Sequence, residues 1–219
     1  MTIRLAIVES HTLVRYGLRE LVSRHPDIEI AAECGSVAEV SQHLRAARPD
    51  VVTVAVHLPD GDGLRLAREL RDSHPGLGIV ILTYRNDEDV LFRALEAGAS
   101  AFVGKSAPVE EVLAAIRHSA VAASSFTASG LATALTRRRQ AADQLGLSAR
   151  EMEVLTLLRD GLSIPAIAMR MYISYSTAKT YVARLYQKLG ATNRAQALMA
   201  AVKHGLLTTP PETRNVIRL

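Results

Sequence analysis

The sequence predicts a five-stranded, doubly wound parallel α/β sheet followed by an all-α domain of four short helices. Three observations carry this. Five short β-branched runs alternate with amphipathic stretches over the first 120 residues, the pattern of consecutive βα units covered by helices on both faces. From Leu147 onward only helical periodicity with well-marked starts remains. The charge also divides: residues 1 to 122 carry 13 Lys/Arg against 17 Asp/Glu, net −4, whereas residues 123 to 219 carry 13 against 5, net +8. A chain of 219 residues is long for one small domain and comfortable for two.

The βα units read, in order, as Ile3 to Val8 then Thr12 to Arg24, Ile28 to Glu33 then Val37 to Ala47, Val51 to Val56 then Leu64 to Ser73, Ile79 to Thr83 then Glu88 to Ala97, and Ala101 to Val103 then Val109 to Ala120. Strands buried on both faces should be apolar throughout, and Val51–Val56 and Ile79–Leu82 nearly are. Pro49, Pro59-Asp60-Gly61, Pro75-Gly76 and Gly98 fall where turns belong. Residues 122 to 146 turn Ala/Ser/Thr-rich and carry Arg137-Arg138-Arg139. They read as a linker with one helix around Ser129 to Gln140, its arginines either touching phosphates or forming a solvated face.

The helical part opens at Ser148 with Glu151 three residues on, a capping box, flanked by Leu147 and Met152 at the positions of a hydrophobic staple. Gly161 stops that helix, Ser163 caps a short second one, Ser174 caps a third running to Leu189, and Asn193 with Gln196 opens a fourth ending near Gly205. On the third helix Ala178, Val182, Leu185 and Leu189 form one apolar stripe. The opposite side presents Ser176, Thr180, Ala183 and Gln187, with Lys179, Arg184 and Lys188 at its edges and Thr177 at its start. Short side chains let a helix approach base edges while flanking cations neutralise phosphates; a solvated polar face is the other reading of the same pattern. A short helix, a tight connection through Tyr172-Ile173 and a longer polar-faced helix have the spacing of a helix-turn-helix.

Composition excludes several classes. The longest apolar runs are strand length, far short of a membrane span, and no secretory leader is visible at Met1 to Val8, so a cytoplasmic protein without membrane association is expected. The single cysteine, Cys34, has no internal partner and reads as a small buried residue. The seven histidines lack metal spacing, Asp60-Gly61-Asp62-Gly63 lacks the distal glutamate of a calcium loop because Arg71 stands there, and no catalytic constellation is visible. Neither enzymatic activity nor a cofactor is expected.

The segments Leu147–Leu155, Gly161-Leu162-Ser163, Ile167-Ala168, Ile173–Lys179 and Lys188-Leu189-Gly190 resemble the LuxR-type helix-turn-helix that ends response regulators of the NarL/FixJ family. The resemblance implies Lys179 as a DNA contact, Thr180 and Ala183 as base-facing, and the fourth helix, with Ala195, Leu198, Met199 and Val202, as dimerising; packing within its own domain would explain the same stripe. Ile164, Ala166 and Tyr181 stand where the family often has Asn, Glu and His. The first 120 residues resemble the receivers of these regulators, with a strand order of 2-1-3-4-5 and a site at the carboxyl ends of the strands. Thr83 and Lys105 match the receiver's hydroxyl and lysine, Phe102 its switch aromatic, and Leu58-Pro59-Asp60-Gly61 the loop after the phosphate acceptor. Glu9 keeps one of two acidic positions, but Ser10 replaces the second and Ala55 stands at the acceptor aspartate.

The resemblance therefore implies a receiver-like domain over 1–121, a linker over 122–146, a helix-turn-helix domain over 147–208 and a tail over 209–219. Its expected partners are double-stranded DNA and a second copy of the chain. A small ligand in the altered receiver crevice, or heterodimerisation with another regulator without DNA binding, are the competing expectations.

Overall fold

A computed structural model of the chain describes residues 2–84 and 87–207; the tail assigned to 209–219, and Thr208 before it, lie outside the described residues. The chain divides into two compact units, Met1–Leu131 and Ala132–Leu219.

In the first unit the elements run β1 (Ile3–Val8), α1 (Thr12–Ser23), β2 (Ile28–Cys34), α2 (Val37–Ala47), β3 (Val51–Ala55), β4 (His57–Leu58), β5 (Gly61–Asp62), α3 (Gly63–Ser73), β6 (Gly78–Thr83), α4 (Glu88–Glu96), β7 (Ala101–Gly104), α5 (Val109–Val121) and β8 (Thr127–Ala128). The main sheet has the order β2-β1-β3-β6-β7-β8, all parallel. Its first five strands keep the 2-1-3-4-5 winding. Every residue of β3, β6 and β7 is buried, as central parallel strands require. One face packs Leu5, Ile7, Val51, Val80 and Val103 against Leu18 and Val22 of α1 and Val112, Leu113 and Ile116 of α5.

The expected five strands are corrected to six, with a separate two-residue hairpin of β4 and β5. Strand β8 lies in the segment read as linker and pairs Thr127 with Ala101 and Ala128 with Phe102. Two residues are too few for any period to show in sequence. Instead, β8 is held by contacts distant along the chain: the Thr127 amide donates to the Ser100 carbonyl at 3.0 Å, and the half-buried Arg71 guanidinium donates to the carbonyls of Gly98, Pro75 and Ala123 and to the Ser100 hydroxyl. Burial pushes the Arg71 pKa below the usual arginine value.

Two aspartates between β4 and α3 serve as caps, one for α2 and one for α3. Asp60 accepts from the amides of Val37 and Ala38 at 2.8 and 2.9 Å, and Asp62 accepts from the Leu64 amide at 2.7 Å, so each carboxylate satisfies amides that a helix start leaves open. Gly63 is required: a Cβ there would lie 1.9 Å from the Ala55 carbonyl oxygen.

The second unit holds α6 (to Gln144 from Leu131), α7 (Ala149–Arg159), α8 (Ile164–Arg170), α9 (Tyr175–Lys188) and α10 (Arg194–Lys203). Helix α6 begins two residues later and ends four later than expected, and Ala141, Ala142 and Leu145 pack against the core of this unit. Ser148 and Glu151 form the full capping box. Ser163, Ser174 and Asn193 each accept from the amide three residues on. Gly161 and Gly190 sit at φ 91° and 63°, the left-handed turn that ends a helix and favours glycine. Val154, Leu155, Ile167, Ala178, Leu185, Ala197 and Ala201 form the centre of the core. Among the described residues no helix is long and apolar enough to cross a membrane.

Candidate functional site

The register of the first unit builds its site. Val8 pairs with Val54, Ala55 with Leu82 and Thr83 with Gly104, so Glu9, Ala55, Thr83 and Lys105 fall at the carboxyl ends of neighbouring strands, where open α/β sheets bind ligands. Ala55 and Thr83 are buried, and Phe102 is buried within β7. Ser10 lies at the rim, its hydroxyl 3.5 Å from His11 Nδ1.

Within this crevice the lysine is paired. Lys105 Nζ lies 2.5 Å from Glu9 Oε2, with side-chain exposures of 6% and 1%. The other carboxylate oxygen accepts from the His11 amide at 2.8 Å and faces His11 Nδ1 at 3.0 Å. Burial would push the Glu9 pKa up, but Lys105 and the His11 amide outweigh it and hold the group below the usual carboxylate value. Lys105 Nζ also lies 4.6 Å from the Tyr84 ring centre, a cation–π contact, and Tyr84 meets the His11 ring edge-on at 5.7 Å.

The Mg²⁺ ion implied by the receiver resemblance does not fit this donor set. It wants several oxygens in octahedral array, whereas the one carboxylate retained has both oxygens taken by Lys105 and His11. Among the described residues no three His, Cys, Asp or Glu side chains gather to hold a metal ion.

In the second unit α9 separates its faces as its periodicity predicts. Ala178, Val182, Leu185 and Leu189 are buried, while Ser176, Thr177, Lys179, Thr180, Ala183, Arg184, Gln187 and Lys188 are exposed. Ser174 Oγ lies 2.9 Å from Ser176 Oγ and 2.7 Å from Thr177 Oγ1, and the Thr180 hydroxyl donates to the Ser176 carbonyl at 2.9 Å. These bonds orient the hydroxyls of the first two turns. Lys188, assigned by sequence to the edge of the polar face, instead donates to the Gly146 carbonyl and to Glu151 Oε2, both at 2.7 Å. The reason is electrostatic: Glu151 is almost fully buried as the capping-box carboxylate and needs a cation.

The fourth-helix stripe is divided. Leu198 and Val202 pack partly against their own core; Ala195 and Met199 are exposed, Met199 at 66%. The inward positions are Ala197 and Ala201. Arg194, which sequence reasoning left without a role, donates to the carbonyls of Leu162 and Leu158 and so ties the start of α10 to the end of α7. His11 and Tyr84 were likewise missed in the receiver crevice. Their one sequence signal is adjacency, each lying within two residues of a position that the resemblance picks out.

Residues 5–117 match the response regulator receiver domain, and residues 145–201 match the bacterial regulatory proteins of the luxR family. The DNA-binding transcriptional activator DevR/DosR of Mycobacterium tuberculosis is 36% identical over 92% of this chain and 94% of its own length. A transcriptional regulatory protein of Bacillus subtilis, YxjL, is 32% identical over 94% of this chain and 97% of its own. Among solved structures, the response regulator ChrA of a heme-sensing two-component system covers 94% of this chain and 99% of its own at 31% identity, with a TM-score of 0.53. With the crevice at the strand ends, the polar face of α9 and these relatives taken together, the chain belongs to the response regulators that join a receiver domain to a LuxR-type helix-turn-helix domain.

Proposed function

We propose that this protein is a sequence-specific DNA-binding transcription regulator whose receiver acts without being phosphorylated. The receiver-like part spans residues 1–121, the linker 122–146 and the DNA-binding part 147–208. The observation that carries the reading is the buried Glu9–Lys105 pair beside Ala55. The lysine that the resemblance assigns to a phosphoryl group is neutralised from within the chain, and alanine offers no oxygen to receive one. On the DNA side, α9 enters the major groove with Lys179 and Arg184 toward phosphates and Thr180, Ala183 and Gln187 toward base edges. A homodimer reads two half-sites about one helical turn apart, with exposed Met199 and Ala195 of α10 at the dimer contact.

The test selects bound sequences from a random duplex pool, then titrates the selected site in a gel shift with and without acetyl phosphate and Mg²⁺. Saturable binding, with intact mass and affinity unchanged by acetyl phosphate, is expected. Ala55→Asp alone should recover little labelling, because Glu9 remains committed to Lys105 and position 10 lacks a carboxylate; Ala55→Asp with Ser10→Asp should recover more. A phosphoryl adduct on the unaltered receiver would refute phosphorylation-independence, and failure to select any duplex would refute DNA recognition.

A further inference from the structure

The polar face of α9 is less polar than its residue types suggest. The Thr180 hydroxyl donates its proton to the Ser176 carbonyl one turn back, at 2.9 Å, the back-bond that threonine makes within helices. A hydroxyl carries one proton, so Thr180 has none left to give a base. Ser176 and Thr177 are engaged as well, their hydroxyls 2.9 and 2.7 Å from Ser174 Oγ, which also accepts from the Thr177 amide as the cap of the helix. Ala183, three residues beyond Thr180 and exposed like it, has no polar side-chain atom. Residues three apart are neighbours on a helix surface. What the centre of the face offers a partner is therefore two adjacent methyl groups, Thr180 Cγ2 and Ala183 Cβ, with Lys179 and Arg184 at its edges.

Methyl groups select among base pairs. In the major groove guanine, cytosine and adenine present hydrogen-bonding groups, and thymine alone adds a 5-methyl beside its carbonyl acceptor. Two methyls in van der Waals contact exclude water from each other and need no hydrogen bond. The Thr180 oxygen keeps lone pairs and can also accept from the amino groups of adenine or cytosine. Ala183 cannot, so the methyl is the one chemistry that the two neighbours share.

We propose, resting on α9 as the recognition helix, that Thr180 and Ala183 read thymines in the major groove through their methyl groups. Each meets the 5-methyl of a thymine in the half-site, while Lys179 and Arg184 hold the flanking phosphates.

The test uses the full-length protein and the duplex selected from the random pool, with each thymine of one half-site replaced in turn by deoxyuridine, which lacks only the 5-methyl. Affinity is read by gel-shift titration. Losing one buried methyl contact should weaken binding about fourfold at the thymines read by Thr180 and Ala183, and the other thymines should tolerate the change. Thr180→Val keeps the shape and the methyl without the hydroxyl, whereas Thr180→Ser keeps the hydroxyl without the methyl. Thr180→Val should bind the thymine duplex about fourfold more tightly than Thr180→Ser and retain the uracil penalty. Thr180→Ser should show no penalty at its position, since that contact is already lost. Ala183→Gly should remove the penalty at the second position; the readout is the ratio of two duplexes on one protein, so any loosening of the helix by glycine cancels. Uracil tolerated at every thymine, a selected half-site without thymine, Thr180→Ser binding as tightly as Thr180→Val or more so, or penalties that survive in both Thr180→Ser and Ala183→Gly would overturn the proposal and leave DNA recognition standing. Failure to select any duplex would overturn both.

Discussion

Removing the lysine of the receiver crevice should cost more stability than any surface charge of this protein. In Lys105→Met the alkyl stem is kept and the ammonium is lost, leaving Glu9, 1% exposed, as an uncompensated buried carboxylate. Breaking one side of a buried pair costs about 3–5 kcal/mol. The cost has a defined pH dependence. In the wild type the folded-state pKa of Glu9 lies below its ordinary value of 4.5, so the group stabilises the fold above that value, and the stabilisation is lost as pH falls through the folded pKa.

In Lys105→Met burial still raises the pKa while only the His11 contacts oppose it, so the folded value moves up from its position in the wild type. The deficit relative to the wild type then shrinks as pH falls through that value, because protonation removes the buried charge. The deficit should be about 3–5 kcal/mol near neutral pH and shrink in acid. Hydrogen exchange of the β1 and β3 amides in the full-length protein, corrected for intrinsic rates, reads the stability of this unit without requiring the whole chain to unfold in one step. The double variant Glu9→Gln, Lys105→Met buries no charge and should recover most of the loss, since neutral replacements for buried pairs are often tolerated. A Lys105→Met deficit under about 1 kcal/mol, or one that does not change with pH, would show that Glu9 is solvated or that its pairing with Lys105 does not hold in solution.

Lys179→Ala should weaken DNA binding at least about tenfold in a gel-shift titration. Lys188→Ala, whose ammonium is spent on Glu151 and Gly146, should instead lower the melting temperature of the second unit. Gly63→Ala should destabilise the receiver by about 3 kcal/mol or more in the same exchange measurement, because its Cβ would meet the Ala55 carbonyl at 1.9 Å. Met199→Glu should leave melting unchanged, since the side chain is 66% exposed, yet abolish cooperative binding to a probe with two half-sites; cooperative binding that survives the charge would place the dimer contact off α10.

What could be read from the sequence and what could not follows the range over which each signal acts. Caps are local: Ser148 with Glu151, Ser163, Ser174 and Asn193 each bond an amide three residues away, so the starts of α7, α8, α9 and α10 were legible, whereas that of α6 was not. Buried parallel strands were legible because burial on both faces demands a continuous apolar run, which β3 and β6 show. Strand β8 was not, because it exists through Ser100 and Arg71, residues 27 and 52 positions from the backbone they hold, and nothing in Thr127-Ala128 itself specifies extension. The same distinction governs the sites. Sequence placed Glu9, Ala55, Thr83 and Lys105 at one crevice, since strand order brings strand ends together, but residue types alone do not tell which charges neutralise each other. Lys188 illustrates the consequence. A helical wheel places it beside Arg184 as a second phosphate contact, while the buried cap of a helix 37 residues earlier in the chain claims it first, because a carboxylate taken out of water gains more from a cation than an exposed helix face loses by giving one up.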